Sequence, residues 1–160
     1  EVFDVVINVQ GDEPYIRPEQ LLQLGECFND PSVELATLVK RVKDKAELFN
    51  TNSPKVILNK NNDAIYFSRT PIPFCRDVEI TDEYVKATPF FRHIGLYGYK
   101  VETLEKICAM PQSFLELTEK LEQLRWLENG LKIRVAKTEY ETHAVDTLED
   151  LEFINSKFDW

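Results

Sequence analysis

The opening segment constrains the fold more than any other: Val2, Phe3, Val5, Val6, Ile7 and Val9 put apolar side chains on both faces of one extended run. Side chains alternate across a strand, so a run that is apolar on both faces suits the centre of a sheet covered by helices on either side. Such a strand needs neighbours. The run begins at once after Glu1, which is not a methionine, and the sequence therefore reads as one that starts within a domain, with some partner strands upstream. It stops at Gln10-Gly11-Asp12-Glu13-Pro14, and Pro18 then opens an amphipathic helix carrying Leu21, Leu24 and Phe28, with Leu22 beside them.

The rest of the chain keeps mixing strands and helices. Leu35 to Val39 predicts a short strand after the turn at Asn29-Asp30-Pro31, and Lys55 to Asn59 with Ala64 to Ser68 predicts a hairpin around Asn61-Asn62-Asp63. Pro71 and Pro73 forbid regular ladder pairing, so Arg76 to Pro89 reads as a charged surface excursion. Arg92 to Tyr99 follows as a strand, with His93, Gly95, Tyr97 and Tyr99 on one face and Ile94, Leu96 and Gly98 on the other. One long helix is expected from about Ser113 to Glu128, with Leu117, Leu121 and Leu124 buried and Asn129-Gly130 as its stop. Leu131, Ile133 and Val135 alternate with Lys132 and Arg134 as a strand, and Thr147 with Asp150 caps a final helix from Leu148 to about Lys157. This order predicts an α/β class, read as one undivided domain over residues 1–160 without internal repeats.

Composition removes several function classes. Cys27, Cys75 and Cys108 are odd in number and widely spaced, with only His93 and His143 to complement them, which argues against a disulfide framework or a zinc site. A net charge of −9 repels phosphate backbones, so nucleic acid is not an expected partner. Apolar runs fall short of the roughly 20 residues that span a bilayer, and there is no leader pattern, so no membrane is expected and the chain reads as cytoplasmic. Small anionic substrates remain compatible where a divalent cation and arginines reverse the local potential.

The candidate site residues each admit a plainer reading. Asp12 lies just past a strand's carboxyl end, where open α/β sheets place ligands, but aspartates also cap such loops, and Gln10 shares the ambiguity. Asp146 precedes a helix start, where an acid serves as cap and dipole partner. The two together would suit a magnesium–phosphate complex if the fold joins them. His93 and Tyr97 share a strand face at a separation read as roughly 7 Å, suited to joint contact with a small polar ligand, though a core histidine looks the same. Arg69, beside Pro71, fits a bidentate carboxylate clamp or a surface ion pair, and Glu122 and Gln123 flank a buried helix stripe, where most residues are simply solvated.

Taken in order, Val9-Gln10-Gly11-Asp12-Glu13-Pro14, Tyr66-Phe67-Ser68-Arg69-Thr70-Pro71-Ile72-Pro73, Arg92-His93-Ile94-Gly95-Leu96-Tyr97, Leu121-Glu122-Gln123-Leu124-Arg125 and Val145-Asp146-Thr147 resemble the CMP-Kdo synthetases, over nearly the whole chain. The resemblance implies a nucleotide-diphosphosugar transferase fold, Rossmann-like with a mixed sheet and lacking its amino-terminal part, and a homodimer using the excursion near the hairpin. It implies cytidylyl transfer from CTP to Kdo (3-deoxy-manno-octulosonate), which activates Kdo for lipopolysaccharide synthesis, with Mg2+ held by Asp12 and Asp146. It further implies a Kdo pocket of Gln10, Arg69, His93, Tyr97, Glu122 and Gln123. Leu148 stands where the family often has proline, and His143-Ala144 replaces a glycine-containing approach to Asp146. Nothing in the chain resembles the family's glycine- and arginine-containing loop for the CTP phosphates, so the chain alone is expected to be inactive. A cytidylyltransferase for another acidic sugar, or a non-catalytic sugar-binding and dimerisation module, are the rival readings, and the Gln10 to Pro14 motif favours Kdo over sialic acid.

Overall fold

The computed structural model describes residues 3–11, 15–141, 148 and 152. The opening run forms β1 (Val5–Val9), followed by α1 (Pro18–Glu26) and a 3-10 turn at Cys27–Asn29. Pro18 sits where a missing N–H costs nothing, and the Arg17 main-chain N–H donates to Gln20 Oε1 at 3.0 Å, which satisfies one of the free donors at the helix start. Next come β2 (Leu35–Arg41), α2 (Lys45–Phe49), β3 (Lys55–Leu58), β4 (Ala64–Ser68), α3 (Asp82–Ala87) and β5 (Phe91–Lys100). The chain continues with α4 (Val101–Cys108), α5 (Phe114–Glu119), α6 (Gln123–Glu128) and β6 (Arg134–Lys137). Of the expected last helix only Leu148 and Glu152 are described, both helical and exposed.

The mixed sheet expected from the sequence runs β4-β3-β5-β2-β6, with β1 on β5. Strand β5 is the hub. Both β1 and β2 pair antiparallel to it on opposite sides, while β6 pairs parallel to β2. Strands β1, β2 and β6 therefore point the same way and release their following loops at one edge, where open α/β sheets bind ligands. Strand β1 is half-buried, and among the described residues only β5 pairs with it.

Alternation along the strands sends two apolar sets to opposite faces. Leu35, Val39, Tyr97, Tyr99 and Val135 pack with Ile107, Leu121, Leu124 and Trp126 from α4, the α5–α6 junction and α6. Ala36, Leu38, Ile94 and Leu96 pack with Leu24 and the half-buried Leu21 and Phe28 on the α1 side. Here the β5 backbone runs close to that layer, and a Cβ on Gly98 would lie 2.7 Å from the Phe28 ring. The β3–β4 hairpin leaves β5 after a short contact and rolls over the first face, so that its tip docks on β6. There Ala64 N donates to Ile133 O at 2.9 Å and Val135 N to Asn62 O at 2.8 Å. The Arg134 Nε to Asp63 Oδ1 bond at 2.9 Å fastens the same junction.

Four expectations need correction. The long helix from Ser113 to Glu128 is two helices, because Lys120 adopts the left-handed conformation at φ 55° and reverses the backbone between them. Leu117, expected in the buried stripe, is 48% exposed, since the break removes the continuous face on which it would lie. The segment Val101–Cys108, for which no element is predicted, is helical. The excursion from Arg76 to Pro89 contains α3, capped by Thr81, and Val85 from it joins Val42, Leu48 and Phe90 in a small separate core. Local charge density there masked a single inward-facing apolar stripe. Beside this core Arg92 Nε lies 2.7 Å from Glu47 Oε1, with both side chains mostly buried.

Candidate functional site

Strand β5 carries the centre of the site. Between Thr37 and Leu38 of β2 the register jumps from Tyr97 to Ile94, so Gly95 and Leu96 are extra residues on β5. An irregularity of two residues preserves the in–out alternation but shortens the path along the strand. In a regular strand His93 and Tyr97, four residues apart, would stand about 13 Å from each other. Their ring centroids are instead 5.1 Å apart. The distance of about 7 Å read from the sequence fits neither case; the close approach comes from the bulge.

Around these two rings the core closes tightly. Phe67 from β4 meets His93 edge-on at 5.2 Å, and Trp126 from α6 meets Tyr97 edge-on at 5.1 Å. The Thr37 hydroxyl, wholly buried, lies 2.9 Å from His93 Nε2 and donates to Leu96 O at 2.8 Å. Burial, with the Arg92 guanidinium adding, pushes the His93 pKa down to about 3, so the ring is neutral at physiological pH. Burial likewise pushes the Tyr97 phenol well above its ordinary range, with Tyr99 and the Glu122 carboxylate adding to it.

The Tyr97 hydroxyl and the Trp126 Nε1 are both buried and have no hydrogen-bond partner among the described residues. An unpaired buried donor costs about 1–3 kcal/mol, and two in one cluster mark a place built to meet polar groups. Gln123 is buried in the first turn of α6, one turn before Trp126, whereas Glu122 is exposed and pairs with Arg125. Gln10 follows β1 at the ligand edge and is exposed, with Val9 paired to Leu96 in the bulge.

Arg69 has a different setting from the free clamp anticipated. Its Nε donates to Glu119 O at 2.7 Å, Nη1 to Thr51 O at 2.9 Å and Nη2 to Lys120 O at 3.2 Å. Its guanidinium thus grips the left-handed break that delivers Leu121, Glu122 and Gln123, with further N–H groups to spare. Thr37, Phe67 and Trp126 are the participants that sequence reasoning missed. Trp126 alone had a visible signal, three residues beyond Gln123 on a helix and hence beside it on one face.

Asp12 and Asp146 lie outside the described residues. Among the described residues no group of three His, Cys, Asp or Glu side chains is arranged to hold a metal ion. What is visible is the approach of their neighbouring segments: the Arg17 guanidinium, at the end of the loop after β1, lies 5.7 Å from the ring centroid of Tyr140, in the segment after β6. No helix among the described residues is long and apolar enough to cross a membrane.

Comparison with known proteins gives a consistent answer. A 3-deoxy-manno-octulosonate cytidylyltransferase of Parabacteroides distasonis is 53% identical over 156 residues, covering 95% of this chain and 62% of that protein. One from Bacteroides thetaiotaomicron is 53% identical over 152 residues, covering 93% of this chain and 60% of its own length. The chain thus spans about three-fifths of the curated relatives it matches. A solved structure of a CMP:2-keto-3-deoxy-manno-octonic acid synthetase complexed with CTP superposes with a TM-score of 0.84 at 35% identity, over 96% of this chain and 61% of that one. The nucleotidyltransferase fold and the family resemblance read from the sequence both hold. The family model described as Cytidylyltransferase matches residues 2–133, and the chain belongs to that family.

Proposed function

We propose that this chain is the sugar-acid-binding part of an enzyme that transfers a cytidylyl group from CTP to 3-deoxy-manno-octulosonate, releasing pyrophosphate. One observation carries the reading: the Tyr97 hydroxyl and Trp126 indole N–H, which have no partner among the described residues, lie in one aromatic cluster with a neutral His93 near the ligand edge of the sheet. A hydroxyl-rich sugar acid offers both donors and acceptors to such a cluster, and Gln10 after β1 and Gln123, one turn from Trp126, would add amide groups to it. Arg69, gripping the Lys120 break, holds Glu122 and Gln123 in place and retains N–H groups for the sugar carboxylate.

Asp12 and Asp146 are the residues that would hold magnesium, since carboxylate oxygens are its preferred protein donors. The ion would supply charge neutralisation for the phosphates and would lower the pKa of the attacking sugar hydroxyl. The contact between Arg17 and Tyr140 supports this pairing, because it links the segments that lead to the two aspartates. The chain's own contribution is orientation: holding one reactant rigidly can remove several kcal/mol from the barrier. The same reading makes the protein a cytoplasmic homodimer that prepares the sugar for lipopolysaccharide synthesis.

In the full-length enzyme, Tyr97→Phe should raise the KM for the sugar acid about three- to tenfold while leaving the KM for CTP within about twofold, as expected for one lost hydrogen bond to substrate. Equal changes for both substrates would overturn the assignment of this cluster to the sugar.

A further inference from the structure

We propose that Thr37 is a positioning residue that fixes His93 as the Nε2–H tautomer, so that its Nδ1 is the atom that accepts a hydrogen bond from the substrate. The inference rests on the sugar-site reading for the identity of the substrate, but the tautomer follows from contacts within the chain. Thr37 Oγ1 lies 2.8 Å from Leu96 O, 3.3 Å from Ile94 O and 2.9 Å from His93 Nε2. A threonine hydroxyl has one proton and two lone pairs. Two carbonyl oxygens accept only, so the proton must point to the carbonyl side; otherwise two oxygens would face each other at 2.8 Å with no proton between them.

Thr37 therefore offers a lone pair to the ring, and His93 Nε2 must carry the hydrogen that meets it. In a neutral imidazole the other nitrogen is then an acceptor. The arrangement is held from every side. Thr37 is wholly buried in β2, its carbonyl partners belong to the β5 bulge, and Phe67 and Tyr97 pack against the ring. The bulge thus does two things: it brings the rings together, and it aims the Ile94 and Leu96 carbonyls at the hydroxyl that sets the tautomer.

The chemistry this selects is specific. A neutral ring that presents Nδ1 receives a hydroxyl of the sugar and does not ion-pair with its carboxylate, which is left to guanidinium groups. The full-length enzyme, labelled with 15N in histidine and carrying His143→Gln to simplify assignment, provides the direct test. His93 should show a protonated Nε2 and an unprotonated Nδ1 near neutral pH, whereas a protonated Nδ1 would overturn the proposal without any further variant. Thr37→Val should then allow the other tautomer to appear and raise the KM for the sugar acid about five- to tenfold, with the KM for CTP within about twofold, and Thr37→Ser should restore both readings. A Thr37→Val enzyme that keeps both the wild-type tautomer and the wild-type sugar KM would also overturn it. If the wild-type tautomer is as stated but His93→Gln leaves the sugar KM unchanged, the tautomer lock survives and the sugar-site reading fails, together with the substrate-accepting role of Nδ1.

Discussion

Arg69 and Glu119 are joined twice: the Arg69 main-chain N–H donates to Glu119 Oε2 at 3.0 Å, and the Arg69 Nε donates to the Glu119 carbonyl at 2.7 Å. The Glu119 carboxylate also accepts from the Ser68 hydroxyl at 2.8 Å, so one acid ties the end of β4 to the break before α6. Hydrogen bonds to charged groups contribute about 1.5–3 kcal/mol, and this site is only half-buried, so Glu119→Ala should destabilise by about 1–2 kcal/mol. In chemical denaturation the midpoint should fall with an unchanged m-value. The same variant of the full-length enzyme should weaken sugar binding more than CTP binding, because Glu122 and Gln123 lose their anchor. A Glu119→Ala protein as stable as wild type would mean that the junction is held by packing alone.

The sign of the His93 shift makes a pH prediction. The ring titrates at about 3 in the folded chain against an ordinary 6.5, because burial, with Arg92 adding, disfavours the cation. The unfolded chain takes up this proton near 6.5 and the native one does not. The contribution to stability is therefore complete above pH 6.5 and is lost as the pH falls toward 3, by on the order of 5 kcal/mol at most. Denaturant midpoints at pH 7, 5 and 4 should decline more steeply for the wild type than for His93→Gln. Proton NMR should show no His93 titration near pH 6.5; a normal midpoint there would contradict the burial.

The excursion after β4 leaves an apolar surface. Phe74 is 87% exposed, and Val78 further along is also exposed. As part of a homodimer interface this surface would be covered, and Phe74→Asp should then shift the full-length protein toward monomer in sedimentation velocity. The fold should barely change, since exposed positions usually alter stability by less than about 0.5 kcal/mol. A wild-type protein that is already monomeric at micromolar concentration would remove the dimer from the proposed function.

For the metal, Asp12→Asn and Asp146→Asn should each weaken Mn2+ binding by the full-length enzyme at least tenfold, measured by electron paramagnetic resonance with Mn2+ standing in for magnesium. Shared coordination requires the two carboxylates to lie within roughly 6 Å of each other. Strands β1 and β6 are three strand spacings apart, about 14 Å, and after β6 the described chain turns toward β2 and β5, where Glu141 lies 3.1 Å from Lys40 and 3.3 Å from Arg92. Loss of binding in only one of the two variants would leave a site with a single aspartate.

Much of this protein is legible without coordinates. Period-two alternation assigned Ile94, Leu96, Tyr97 and Tyr99 to their correct faces, the turn at Asn61-Asn62-Asp63 placed the hairpin, and five short motifs in order pointed to the family. Each of these depends on neighbours in sequence, where steric and hydrogen-bonding rules act directly. Other features depend on partners far along the chain. The approach of His93 to Tyr97 requires β2 to pair with a bulged β5, the left-handed Lys120 is bracketed by contacts from Arg69 just after β4, and the Thr37 hydroxyl finds its acceptors in a strand more than fifty residues away. Local propensity contains no term for such contacts. Alternation therefore named His93 and Tyr97, and the family resemblance added Gln123, but their geometry and the residues that hold them were left to be set by the packing of the sheet.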